Sequence, residues 1–579
     1  MSRFILALLL LGASLAGAAP AEQFQRIVDA HWQWHLQQNP QVRTRLGDSG
    51  ANDRWEDMSP AAHIARDVRR GEFLAELSAI DVAALQSQDQ LSHAMLVRLL
   101  QGERDAHALG LHLMPVNMRS GPQHLHTLAE QIDFVREQDY RAWLVRLQAL
   151  PDLLMQYREL LEEGMLAQRT QARIVMERVP AQIDRLLAGD PEDSPFYKPF
   201  RNAPPELSTA QVAELRRSAA QVIRVRVNPA LAEFRDFLSD AYLPACRDEP
   251  GIGSLPGGDE LYRHLARQFT TTDMTPEAIH EVGKAEVARL LAEMEEVKDR
   301  VGFAGDLGAF NEFLRSDPQF YYETPEALFA AYLAVSKRLD PELVKLFGKL
   351  PRMPYGVRPI ADSIAPDTTT AYYNRPAANG TRAGYYYVNL HRPEVRPKYE
   401  MEVLSVHEAV PGHHLQIALA QELEGLPMFR STGGETAFVE GWGLYSERLG
   451  YDMGLYTDPY SRYGQLTYDM WRAVRLVVDT GIHYFGWSRE QAIEYFKANA
   501  AKTETDIVNE IDRYIGWPGQ ALAYKIGQLK ILELRERAEA SLGERFDIRA
   551  FHDHLLGAGA IPLDALERRM DAWISGQLG

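Results

Sequence analysis

The stretch Val406-His407-Glu408-Ala409-Val410-Pro411-Gly412-His413-His414-Leu415-Gln416 gathers three imidazoles and a carboxylate within eight residues. Imidazole nitrogen and carboxylate oxygen are the donors a zinc ion takes. The usual zinc-hydrolase helix spaces two histidines four apart, so that both reach one ion. The glutamate beside the first then serves as general base. Here the fourth position after His407 is Pro411, which cannot ligate. In a straight helix His413 would sit about 240° around from His407, on the wrong side, and His414 about 10 Å along the axis. Pro411 lacks an N–H and Gly412 tolerates unusual dihedrals, so together they predict a break that absorbs the extra residues. His413 is then the expected second ligand. His414 is the alternative, and is otherwise expected to face substrate.

An open catalytic site needs a third protein ligand. Thr436-Ala437-Phe438-Val439-Glu440-Gly441-Trp442-Gly443-Leu444-Tyr445-Ser446-Glu447 offers Glu440, flanked by apolar residues, and Glu447 two turns on along the same face. A carboxylate among apolar neighbours wants a cation. Glu440 is the expected ligand, with Glu435 and Glu447 in reserve. The expected group is one Zn2+ per chain, held by His407, His413 and Glu440, with Glu408 as base.

The elements that must position these residues read as helices. Thr275-Pro276-Glu277 and Thr324-Pro325-Glu326 each place a cap, a first-turn proline and an early acid in order. Ser208 with Gln211, and Ser488 with Gln491, fit capping boxes. Val287, Leu290, Leu291 and Met294 repeat at the helical period. Irregular segments are expected near Pro115–Pro122, at Gly189–Pro205, at Cys246–Asp259 and from Pro351 to Pro397. Within the last, Gly384 to Leu390 is aromatic and β-branched, the best strand candidate in the chain. The expected fold class is all-α, mainly helical, with one small β-sheet near the active site. The expected domains are a leader at 1–19, an N-terminal helical lobe at 20–260 and a catalytic lobe at 261–579, or one continuous domain over 20–579.

Composition narrows the function classes. Hydrophobic residues at 46% and charged residues at 25% belong to a globular chain. A net charge of −18 argues against nucleic acid or an anionic membrane as partner, because phosphate binding needs a basic patch. Ser2-Arg3, an apolar run from Phe4 to Leu11 and the small residues Ala16-Gly17-Ala18 read as a cleavable signal peptide, with a mature chain from about Pro20. No cysteine stands there to carry a lipid anchor. The only cysteine, Cys246, excludes an intrachain disulfide and reads as a packed apolar residue. A periplasmic or secreted protein is expected, with no stable membrane association after leader cleavage.

The histidine motif, together with Val439-Glu440-Gly441-Trp442, Arg475-Leu476-Val477-Val478-Asp479-Thr480-Gly481 and Gly516-Trp517-Pro518-Gly519-Gln520-Ala521-Leu522, resembles the bacterial family catalogued as domain of unknown function 885. The resemblance spans the mature chain. More distantly, the site is similar to helical gluzincin peptidases of the thimet oligopeptidase and thermostable carboxypeptidase type, where a Phe-Val-Glu context carries the third ligand. Phe438-Val439-Glu440 matches it. Tubulin-tyrosine carboxypeptidases are similar in having a displaced second histidine. The resemblance implies a two-lobed metallopeptidase architecture with a deep cleft and a strand near Tyr385 to Leu390 at a sheet edge. Tyr386 and Tyr387 there could line a peptide pairing with that edge. It also implies an oxyanion donor from a C-terminal segment, for which Tyr524 and Tyr514 are candidates and His483 a further one.

The expected activity is hydrolysis of oligopeptides by metal-activated water. Arg475 could grip a substrate carboxylate, or merely pair with Asp479 four residues on. The competing readings are a zinc hydrolase of a non-peptide amide or ester, and a degenerate peptide-binding protein. Retention of Glu408 speaks against the latter, since a structural metal site needs no base.

Overall fold

Capping hydroxyls and first-turn prolines open helix after helix. The computed structural model describes residues 19–202, 204–362, 365, 369–377, 380 and 382–578, and these are mostly α-helical with a single three-stranded sheet. The Thr275 hydroxyl accepts from the Ala278 N–H at 3.2 Å, and Thr324 does the same for Ala327. Both capping boxes form, at Ser208 with Gln211 and at Ser488 with Gln491. The leader expected at 1–19 falls, through residue 18, outside the described residues. No described helix is long and apolar enough to cross a membrane.

The chain divides into two compact units, one up to His264 and one from Leu265 onward. In the first, helices including Pro20–Gln38, Pro60–Ser78, Ser87–Ala108, Glu137–Gln148, Leu150–Leu166 and Thr209–Val222 supply the framework. Trp143, Tyr140, Leu147 and Leu161 are buried at its core, and the Trp143 indole donates to the Phe196 carbonyl at 3.1 Å. Cys246 belongs to the same core, where burial pushes its thiol up to about 12.

The second unit carries the site. Its main helices are α1 (Pro276–Arg300), α2 (Met401–Glu408), α3 (His413–Gln421), α4 (Thr436–Asp452), α5 (Pro459–His483), α6 (Glu504–Gly516), α7 (Ala523–Leu542) and α8 (Ile548–Leu556). Helix α5 is the central rod, buried at nearly every position from Tyr463 on. Helices α4 and α7 meet at Gly441 and Gly527. A Cβ on Gly527 would fall 1.9 Å from the Ala437 carbonyl oxygen, so only glycine permits this approach, one residue from Glu440.

Three strands, β1 (Tyr355–Pro359), β2 (Ala371–Asn374) and β3 (Gly384–Val388), run in the order β1-β3-β2, with β3 parallel to β1 and antiparallel to β2. The Gly384–Leu390 segment is therefore the centre of the sheet and not its edge, so its backbone has no free side for a peptide. Tyr386, expected at the substrate, is fully buried, with its hydroxyl 3.4 Å from Ser405 Oγ on α2. Its apolar body packs the sheet onto that helix. Tyr387 points to the opposite face and stacks on Tyr372 at 5.0 Å.

Candidate metal centre

Helix α2 ends at Glu408, Val410-Pro411-Gly412 reverses the chain, and α3 begins at His413. The break is tied off by hydrogen bonds from the Gly412 N–H to the Val406 carbonyl (2.9 Å) and from the His414 N–H to the Ala409 carbonyl (3.0 Å). Gly412 lies so close to the end of α2 that a Cβ there would stand 1.9 Å from the His407 carbonyl oxygen. The proline and glycine thus do what their chemistry predicts. They stop one helix and start another whose first residue, His413, turns back on His407.

The outcome is a three-residue cluster. Donor atoms of His407, His413 and Glu440 all lie within 4.8 Å of one another. Glu440 Oε2 is 3.8 Å from His407 Nε2 and 3.7 Å from His413 Nε2. Two donors about 2.1 Å from a tetrahedral ion are about 3.4 Å apart, so these separations approach a zinc shell. The two imidazoles meet edge to face, at 4.7 Å and 86°. It is the only such cluster among the described residues.

Glu447, a reserve ligand in the sequence, has a different place. Its Oε1 accepts from His407 Nδ1 at 2.8 Å, and it is fully buried. This fixes the His407 tautomer and leaves Nε2 free to face Glu440 and His413. Burial pushes the Glu447 carboxyl up to about 8, against the opposing charge of Arg472, whose Nη2 is 3.6 Å from Oε1. Glu447 Oε2 has no hydrogen-bond partner, which deepens that desolvation. Burial likewise holds His407 well below its usual value, hence neutral and able to ligate, and the positive charges of Arg472 and Arg475 add to this. Gly443 makes room for the ring, since a Cβ there would be 2.8 Å from His407 Cε1.

Glu408 follows His407 but is not part of the cluster. Burial raises its carboxyl, His413 opposes the rise, and Glu440 adds to it. Its carboxylate also accepts the backbone N–H of Tyr373 on β2. The sheet edge that meets the site is therefore β2.

The remaining expected residues separate into two sets. Tyr524 is partly exposed, and burial together with the Glu440 charge raises its hydroxyl, so it stays a proton donor. The Arg475 guanidinium lies 4.4 Å from the centre of its ring. Tyr514, by contrast, is committed. Its hydroxyl donates to Glu510 Oε2 (2.6 Å) and accepts from Arg475 Nε (2.9 Å) and Trp471 Nε1 (3.3 Å). His483 is buried with Nε2 on the Tyr514 carbonyl at 3.0 Å, so it braces α5 against α6. His414 is also spent: Nε2 donates to the Met353 carbonyl (3.0 Å) and Nδ1 accepts from the Tyr373 hydroxyl (2.8 Å). Burial brings it down to about 4, and it ties α3 to β2 without facing substrate. Arg475 pairs with Glu510 at 3.2 Å, not with Asp479, which accepts the Gly519 N–H. Tyr373 and Glu510 gave no signal in the sequence, because each acts through elements distant along the chain. Glu447 did, through its two-turn spacing from Glu440.

Comparison with known proteins agrees with this architecture. No curated protein matches the chain. A crystal structure from Colwellia psychrerythraea, described as a "putative lipoprotein", is 28% identical over 96% of this chain and 100% of that one, with a TM-score of 0.90. Another, from Shewanella oneidensis and described as of unknown function, is 18% identical over 96% and 100% of the two chains, with a TM-score of 0.74; it speaks for the fold alone. The model of the bacterial proteins of unknown function, DUF885, matches residues 40–570, a span that encloses the whole cluster, and the chain belongs to that family.

Proposed function

We propose that the protein is a zinc-dependent peptidase of the gluzincin kind, working in the periplasm or medium. The observation that carries this reading is the convergence of His407, His413 and Glu440 beside a half-buried carboxylate, Glu408, that is not part of the cluster. The donor set fits zinc: two imidazoles and one carboxylate, with Nε2 of His407 left free because Glu447 takes Nδ1. When bound, the ion would keep a fourth position open and supply Lewis-acid activation of water and of the scissile carbonyl.

The chain's own groups do the rest. The Glu408 carboxylate takes a proton from the attacking water and returns it to the leaving amine. Its raised pKa suits it to both steps, and the Tyr373 N–H holds it in place. Glu447 keeps the His407 ring oriented. The Tyr524 hydroxyl, held protonated by burial and the Glu440 charge, donates to the oxyanion. The resemblance of the motif to helical gluzincins supports the two-lobed, clefted architecture this chemistry uses, and the leader pattern supports export.

The test is mass spectrometry of a defined peptide mixture incubated with the zinc-loaded mature chain. Cleavage abolished both by a chelator and by Glu408→Gln is the expected result. An intact peptide mixture, with one zinc bound per chain, would overturn the peptidase reading.

A further inference from the structure

One wall of this site carries charge that the hydrolytic step leaves unused. Arg472 and Arg475 stand one turn apart on α5 and are 6% and 5% exposed. Arg472 Nη2 lies 3.6 Å from Glu447 Oε1, the atom that holds His407 Nδ1 at 2.8 Å. Arg475 gives Nε to the Tyr514 hydroxyl at 2.9 Å and Nη2 to Glu510 at 3.2 Å. Its Nη1 is buried and has no partner. Buried donors are rarely left unpaired, and a guanidinium has no neutral form to escape into.

The local charge is also unbalanced. Glu510 accepts Arg475 at 3.2 Å and Arg513 at 2.9 Å, so two guanidiniums share one carboxylate. The Arg475 guanidinium lies 4.8 Å from the Trp471 ring centre and 4.4 Å from that of Tyr524. Both rings are partly exposed, and Tyr524 senses the Glu440 charge. The guanidinium that carries the free Nη1 is thus flanked by the aromatic surfaces of Trp471 and Tyr524. A guanidinium fork matches the geometry of a carboxylate or a phosphate. A peptide carries one such group at its C-terminus.

Resting on the peptidase reading, we propose that Arg475 is the specificity-determining residue that binds the substrate's terminal carboxylate, which makes the enzyme a carboxypeptidase. Trp471 and Tyr524 flank the terminal residue, and internal peptide bonds are poor substrates because they bring no anion to Nη1.

The experiment compares one pentapeptide with its C-terminal amide, binding each to zinc-loaded full-length protein carrying Glu408→Gln, by calorimetry. The acid is expected to bind about 10- to 100-fold more tightly than the amide, the range for a hydrogen bond to a charged group. Arg475→Met should collapse that ratio toward one. The ratio is taken within each variant, so a lower folded fraction in Arg475→Met cancels. Equal binding of acid and amide to the parent overturns the proposal, as does a ratio unchanged by Arg475→Met. The peptidase reading fails separately, when wild-type protein cleaves neither peptide; the acid-to-amide ratio still decides the role of Arg475.

Discussion

At the residue scale, neighbours decide what identical side chains do. His413 and His414 are adjacent, yet one reaches Glu440 at 3.7 Å and the other spends both nitrogens on Met353 and Tyr373. His413→Ala is expected to lose stoichiometric zinc in a dialysis assay, while His414→Ala keeps it and loses stability. The opposite pattern would move the ligand role to His414. Glu447 would act on a bound ion only through His407, whose Nδ1 it holds. Measured above about pH 8, where the Glu447 carboxyl is ionised, Glu447→Gln should keep the hydrogen bond to Nδ1 but remove the charge behind it, weakening zinc binding about 10- to 100-fold in competition with a chelating dye. Unchanged affinity would reduce Glu447 to a packing residue.

At the element scale, the site depends on two places where backbone touches backbone. One is the α4–α7 contact at Gly441 and Gly527, which sets where Glu440 stands. The other is the α2–α3 break. A methyl group on Gly412 would meet the carbonyl oxygens of His407 and Val406 at 1.9 and 2.4 Å, and backbone cannot yield as a flexible side chain can. Gly412→Ala should therefore cost about 2–3 kcal/mol in a denaturant titration. It should also abolish zinc binding while far-UV circular dichroism keeps its helical signature. A variant that still binds zinc at parental affinity would show that His413 reaches the ion without this turn.

At the scale of the whole molecule, burial of neutral polar groups makes the fold sensitive to acid. His552 on α8 is fully buried, with Nδ1 on the Leu346 carbonyl and Nε2 on the Tyr445 hydroxyl, both at 2.8 Å. Burial brings it from 6.5 down to about 3. Its folded pKa is depressed, so its contribution is intact above about pH 6.5 and is lost as pH falls toward 3. By pH 4.5 the loss is about 2–3 kcal/mol. Unfolding free energies from denaturant titrations at pH 7 and 4.5 should differ less in His552→Gln than in wild type by that amount; equal differences would remove His552 as the cause. Cys246 reports on the first unit. Buried at 4% exposure and with its thiol pushed up to about 12, it should resist alkylation at pH 8 until denaturant opens that core. Rapid native alkylation would contradict its place there.

Local chemistry was legible from residue order alone. Hydroxyl caps and first-turn prolines marked helix starts at Thr275, Thr324, Ser208 and Ser488, because a cap satisfies N–H groups within its own turn. Pro411 and Gly412 announced the break, because neither His413 nor His414 reaches the His407 side well along a straight helix; that His413 and not His414 turns onto His407 and Glu440 was decided by the fold. Pairing between distant segments was not legible. Nothing in the Tyr-rich run of β3 says whether one neighbour or two will cover it, and the structure gives it two. Nothing beside Glu447 says that it stops at Nδ1 of His407, nor beside Arg475 that it turns to Glu510 instead of Asp479. Those choices are made by which helices pack together, and a carboxylate or guanidinium takes whichever partner that packing brings within about 3 Å.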